Sequence, residues 1–165
     1  MDKWSGPNPV NDVGEEELPE HIRPLAFAGT ELALDIVHSV CAIYRVDIES
    51  ALILMCVADA TMRPLYLSRG EGGMVRQLNP RADERGSISR QMVADKIGLP
   101  RETVRRKIKD LIASGHLTID DKDRVQIKTM LQMPHVQHEL EQGHRAVLRY
   151  FERLRELGID PDKTF

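Results

Sequence analysis

The sequence predicts a mainly α fold with one small β-hairpin. Three observations predict it. Apolar residues recur at helical spacing over most of the chain between positions 30 and 158. Two short stretches, 116–119 and 125–128, alternate apolar and polar residues instead, which is the period of a half-buried strand. Of the 165 residues, 41% are hydrophobic but only 4% are aromatic, so the core must be built from aliphatic side chains, which favours helices.

Residues 1–24 contain four prolines, two glycines and the run Glu15-Glu16-Glu17, with no hydrophobic period. They are expected to be a disordered acidic tail. No basic segment followed by an apolar one is present there, so no signal peptide is expected. Residues 25–63 are expected to hold two helices. Thr30 is a suitable N-cap for the first, which reaches about Arg45 and shows an apolar face of Leu32, Ile36, Val37, Val40, Ile43 and Tyr44. Asp47 can cap the second, reaching about Met62. Ile48 and the run Ala51–Ala58 surround its axis, which places that helix centrally in the core. The run ALILMCVADA contains Asp59 and is too short to cross a bilayer, so no membrane partner is expected. Cys41 and Cys56 lie inside apolar stretches and read as reduced thiols of a cytoplasmic protein.

Residues 64–86, opened by Pro64 and rich in glycine and arginine, read as a long loop. Gly70-Glu71-Gly72-Gly73 is too short for a phosphate-binding loop and lacks a following Lys-Ser or Lys-Thr. A short helix follows from Arg90 to Ile97, capped by Ser89 and stopped by Gly98, since glycine readily adopts the left-handed conformation that helix ends use. Pro100 suits the first position of the next helix, which runs to about Ser114 and buries Val104, Ile108, Leu111 and Ile112. The hairpin strands are joined by Asp120–Arg124. A final helix, from about Pro134 to Gly158 within a segment spanning 129–165, carries Val136, Leu140, Gly143, Val147, Tyr150, Leu154 and Leu157 at alternating steps of four and three. That spacing is a heptad seam, read as a homodimer interface, against the plainer alternative of packing within the chain.

Charge is unevenly distributed. The net charge of −3 excludes binding of a polyanion by bulk charge alone, but three basic and ten acidic residues precede position 51, whereas ten basic and six acidic ones lie between 87 and 128. On the helix after Pro100, Val104, Ile108 and Leu111 point one way and Glu102, Arg106 and Lys109 the other, with Arg105 and Lys107 flanking. Arginine pairs bidentately with guanine, and glutamate accepts from cytosine N4, so this face suits base reading in a major groove. The plainer alternative is a solvated basic face.

Helix, tight turn, helix and hairpin over 87–128 resembles a winged helix-turn-helix, with Ala94, Gly98 and Val104 at the positions where bacterial motifs favour a small residue, a glycine and an aliphatic one. Arg101-Glu102-Thr103-Val104, followed by Arg105-Arg106, resembles the recognition helix of the catabolite activator protein family. That resemblance implies base contacts by Arg101, Glu102 and Arg106, joined by the neighbouring Arg105, and a backbone contact by Thr103. It covers only 87–128, and the family's cyclic-nucleotide β-roll is absent. The overall order of helices resembles the multiple antibiotic resistance regulator family, whose members are dimers built from terminal helices.

Ser87, Ser89, Arg90, Gln91, Lys107 and Lys109 are expected to hold phosphates and fix register. The acidic tip of the hairpin departs from the pattern: either Arg124 alone reaches the DNA, or the wing stays off it. Pro100 is a second departure. The reading that follows is a bacterial-type transcriptional regulator in the cytoplasm, binding a near-palindromic operator in duplex DNA as a homodimer. The alternative is a protein-interaction adaptor that docks a partner through the same module. No nucleophile–base pair is evident, so no catalysis is expected. His135, His138, Glu139 and His144 lack the fixed third ligand of a metal site, and no metal or other cofactor is expected.

Overall fold

The computed structural model describes residues 18–69 and 85–163. Its elements, in chain order, are α1 (Ile22–Tyr44), α2 (Ile48–Arg69), α3 (Arg90–Ile97), α4 (Arg101–Ala113), β1 (Leu117–Ile119), β2 (Val125–Ile127) and α5 (Pro134–Glu156). The chain is thus mainly helical, with one small antiparallel sheet. Within the sheet, Leu117 pairs with Ile127, Thr118 with Gln126 and Ile119 with Val125.

α2 is the centre of the core, because its apolar residues surround the axis. Ala51, Ile53, Leu54, Cys56 and Val57 are buried. Around them gather Val93 and Ala94 of α3, Val104, Ile108 and Leu111 of α4, and Leu117, Val125 and Ile127 of the hairpin. Asp47 caps α2 by accepting from the Ser50 N–H at 3.0 Å. At its other end α1 closes on Arg45, which takes the left-handed conformation at φ 53°.

Three expected boundaries are corrected. α1 begins at Ile22, eight residues before Thr30, so positions 22–24 belong to a helix; residues 1–17 of the expected tail lie outside the described residues. Thr30 is no N-cap; its hydroxyl instead donates to the Ala26 carbonyl at 2.8 Å, one turn back. α2 runs through Pro64 to Arg69, so the expected loop does not start at 64, and its positions 70–84 lie outside the described residues. Pro100 stands just before α4, at its N-cap, with φ −56° and ψ 137°.

Pro64 is tolerated because of what lies beside it. Proline has no N–H, so the Ala60 carbonyl loses its usual intrahelical donor. Gly86 fills that side of the helix. Its N–H donates to the Thr61 carbonyl at 2.9 Å, and a Cβ at this position would stand 2.1 Å from the Ala60 oxygen. Ile88 then bridges Val125 through two backbone hydrogen bonds, and the Thr61 hydroxyl accepts from the Ile127 N–H at 3.1 Å. Residues 85–88 therefore strap the hairpin to α2.

α1 and α5 form a second layer. Asp35 meets Arg149 at 2.7 Å, Glu31 meets Arg153 at 3.1 Å, and Ala28 shares a buried cluster with Leu154 and Ile159. Rising numbers on α1 match falling numbers on α5, so the two helices are antiparallel.

Substituting Gly86→Ala should lower unfolding free energy by about 1–3 kcal/mol, because the methyl group meets backbone rather than a movable side chain. Chemical denaturation monitored by circular dichroism checks this; an unchanged midpoint would contradict the strap.

Candidate nucleic-acid interface

α3 and α4 meet at a turn that the local chemistry dictates. The Ser89 hydroxyl accepts from the Met92 N–H at 3.2 Å and starts α3. Gly98 ends it at φ 70°, with its N–H bound to the Ala94 carbonyl at 2.9 Å. An added Cβ at Gly98 would meet nothing within 4 Å, so the demand for glycine there is the left-handed backbone and not space. Ala94 and Val104 are buried where the helices cross, which fixes the rotation of α4 about its axis.

With Val104, Ile108 and Leu111 turned inward, Arg101, Glu102, Arg105, Arg106 and Lys109 are exposed. Glu102 and Arg105 pair at 2.8 Å on that surface, and Arg101 lies 3.6 Å from Asp95. Both pairs are open to water and contribute little to stability. Between α4 and the hairpin runs a groove of about 750 Å³ lined by Arg90, Glu102, Thr103, Arg105, Arg106, Lys109, Ile112 and Ile119. Among the described residues, no carboxylate pairs with Arg106 or Lys109. The structure thus brings together all four expected base-reading residues except Arg101, which is exposed nearer the start of the helix, outside the groove lining.

Several residues expected to hold phosphates are engaged by partners within the chain. Lys107 has only 14% of its side chain exposed; it reaches back to α2 and holds Asp47 at 2.7 Å and Glu49 at 3.1 Å. It lies close enough to the buried stripe to face the α2 terminus and not the groove. Arg124 folds under the hairpin and donates to the Ser87 carbonyl at 2.6 Å, while its Nε is buried without a partner. Ser87 is used again by Asp120, whose carboxyl is held below the usual carboxylate range by the Ser87 hydroxyl and then by the Arg124 N–H. Ser89 spends its hydroxyl on the cap. Arg90 is bound by Asp123 at the hairpin tip through both carboxylate oxygens, at 2.8 and 3.1 Å. Gln91 and Lys109 stay exposed and Thr103 is half-buried.

The terminal seam is divided. Val136 and Leu154 are buried within the chain and do not offer a surface to a second molecule; Gly143 is half-buried, and a Cβ added there would stand 3.8 Å from the Ile36 side chain of α1. Val147 and Tyr150 are half-buried, Tyr150 against the Ala28 cluster. Leu140 and Leu157 remain exposed, with Leu148 and Phe151 beside them. Sequence spacing missed the matching surface on α1, where Ile22, Phe27 and Leu34 are exposed, Leu34 by 66%. α1 is also long and apolar enough to cross a membrane by length and composition alone, with mean hydropathy 1.4 over its most apolar window. Among the described residues no cluster of three or more histidine, cysteine or carboxylate side chains is placed to hold a metal ion.

Comparison with protein-family models, with curated proteins and with solved structures gives no match. What the surface does must therefore be argued from its residues.

Hydrogen bonding by Lys107, and then by the Ser50 N–H, holds the Asp47 carboxyl at about 2. A depressed carboxylate stabilises the fold above its unfolded value of roughly 3.9 and loses that contribution as pH falls towards the folded value. Lys107→Met should cost about 1 kcal/mol near neutral pH, allowing for the exposure of Asp47. The deficit should shrink between about pH 4 and pH 2 as the parent loses the same pair. Denaturation series at several pH values test this, and a deficit as large at pH 2 as at pH 7 would contradict it.

Proposed function

We propose that residues 87–128 form a winged helix-turn-helix and that the protein is a DNA-binding transcriptional regulator, with a binding and not a catalytic role. One observation carries the reading. α4 buries an apolar stripe and presents Glu102, Arg105, Arg106 and Lys109 along an exposed groove, next to a short helix and a hairpin. Such a helix is about the width of a major groove, and its side chains combine bidentate donors with one acceptor, which supports base reading beyond charge attraction. Arg106 and Lys109, which no carboxylate among the described residues pairs with, are the groups readiest to meet guanine or phosphate.

The proposed active form is a homodimer joined through the outer faces of α1 and α5. Exposed leucines, isoleucine and phenylalanines on these antiparallel helices support a protein partner, and the pairing of Glu31 and Asp35 with Arg153 and Arg149 favours a folded two-helix layer over a membrane span. Two-fold symmetry then calls for two half-sites roughly 34 Å apart, hence a near-palindromic operator.

Ile119, 45% exposed beside Ile112 in the groove, favours the second reading, a docking module for another protein. Titration against random duplex at several salt concentrations separates the two: a DNA binder loses affinity steeply as salt rises, and an adaptor shows little affinity throughout. Selection from a random oligonucleotide pool should then return an inverted repeat. Arg106→Ala should cost about 1–3 kcal/mol on the selected site and relax preference at one base pair, whereas Lys107→Met should leave DNA affinity unchanged. Equal binding of both DNA classes by parent and Arg106→Ala would contradict the assignment.

A further inference from the structure

Arg90 lines the groove with its guanidinium fork already filled. Nη1 donates to Asp123 Oδ2 at 2.8 Å and to the Asp123 carbonyl at 3.1 Å, and Nη2 donates to Oδ1 at 3.1 Å. This two-pronged arrangement is the one that an arginine offers to a phosphate. The hairpin tip is built to deliver the carboxylate. Asp120 accepts from the N–H groups of Lys122 and Arg124 at 2.9 and 2.8 Å, and the Asp123 N–H returns to the Asp120 carbonyl at 3.1 Å. That tight turn sets Asp123 at φ 56°, a left-handed backbone that aspartate and asparagine tolerate better than most residues. The Asp123 side chain is 76% exposed, so burial does not compel the pair; the turn and the arginine do.

We propose that Asp123 is a specificity-determining residue that stands in for a DNA phosphate on Arg90 and must be displaced when duplex DNA enters the groove. The proposal rests on the DNA-binding reading above. A carboxylate at the groove's edge weakens binding to any duplex by one phosphate contact. Only a duplex held firmly by the α4 contacts takes Arg90 from it. The acidic hairpin tip, poorly suited to a phosphate-lined minor groove, thereby acquires a role: it suppresses binding to random sequence and widens the margin for the operator.

The test measures affinity of the full chain for random duplex across a salt series, for the parent, Asp123→Asn, Asp123→Gly, and Arg90→Ala with and without Asp123→Asn. Asparagine and glycine both accept the left-handed turn, so one variant checks the other for loss of fold. Asp123→Asn should bind random duplex roughly five- to tenfold tighter. Its log–log salt slope should steepen by about one unit, the mark of one more phosphate neutralised. The gain should vanish when Arg90 is alanine. Unchanged affinity in both position-123 variants overturns the proposal, as does a gain that survives Arg90→Ala. If no variant binds any duplex and Arg106→Ala changes nothing, the DNA-binding reading itself falls, and this proposal with it.

Discussion

Burial of Val104, Ile108 and Leu111 against α2 is the interaction on which the molecule's external chemistry depends. These three side chains and their partners Ile53, Leu54 and Val57 are almost wholly removed from water. Each such side chain is worth roughly 1.5–3 kcal/mol of transfer free energy, far more than any single surface ion pair around them. Because α4 cannot rotate without exposing that stripe, Arg106 and Lys109 are obliged to face solvent. Gly98 complements this by letting the chain reverse within a few residues, so that α3 supports α4 from beside it.

Electrostatics refines what packing imposes. A chain with a net charge of −3 presents a basic groove by spending its carboxylates selectively. Asp47 and Glu49 draw Lys107 inward, Asp59 takes Lys96 at 2.6 Å and also Arg63, and Asp123 takes Arg90. Among the described residues no carboxylate holds Arg106 or Lys109 on α4, while Arg105 pairs with Glu102 at 2.8 Å on the exposed surface. The acids thus divide the cations into those that tether helices to one another and those available to a ligand.

Much of this was legible in the sequence, and the misses have physical causes. The turn at Gly98, the cap at Ser89, the apolar stripe of α4 and the two strands all follow from local rules, in which a residue's conformation depends on near neighbours. Lys107, Arg124 and Arg90 have intrachain partners 60, 37 and 33 residues away, beyond what helical periodicity can see. Pro64 reads as a helix breaker unless one knows that Gly86 packs against the carbonyl it leaves free. The α5 seam was visible as a heptad, but its spacing could not tell whether α1 of the same chain or a second molecule would cover it; the structure gives Val136 and Leu154 to the chain itself.

The most direct measurement is a titration of isotopically labelled protein with short duplex DNA, following backbone amide resonances. The account predicts shifts concentrated at the start of α3, along positions 101–109 and at the hairpin tip, with the buried residues of α2 moving little. Shifts confined to the outer faces of α1 and α5, or none at concentrations where a groove of this charge should be occupied, would contradict it.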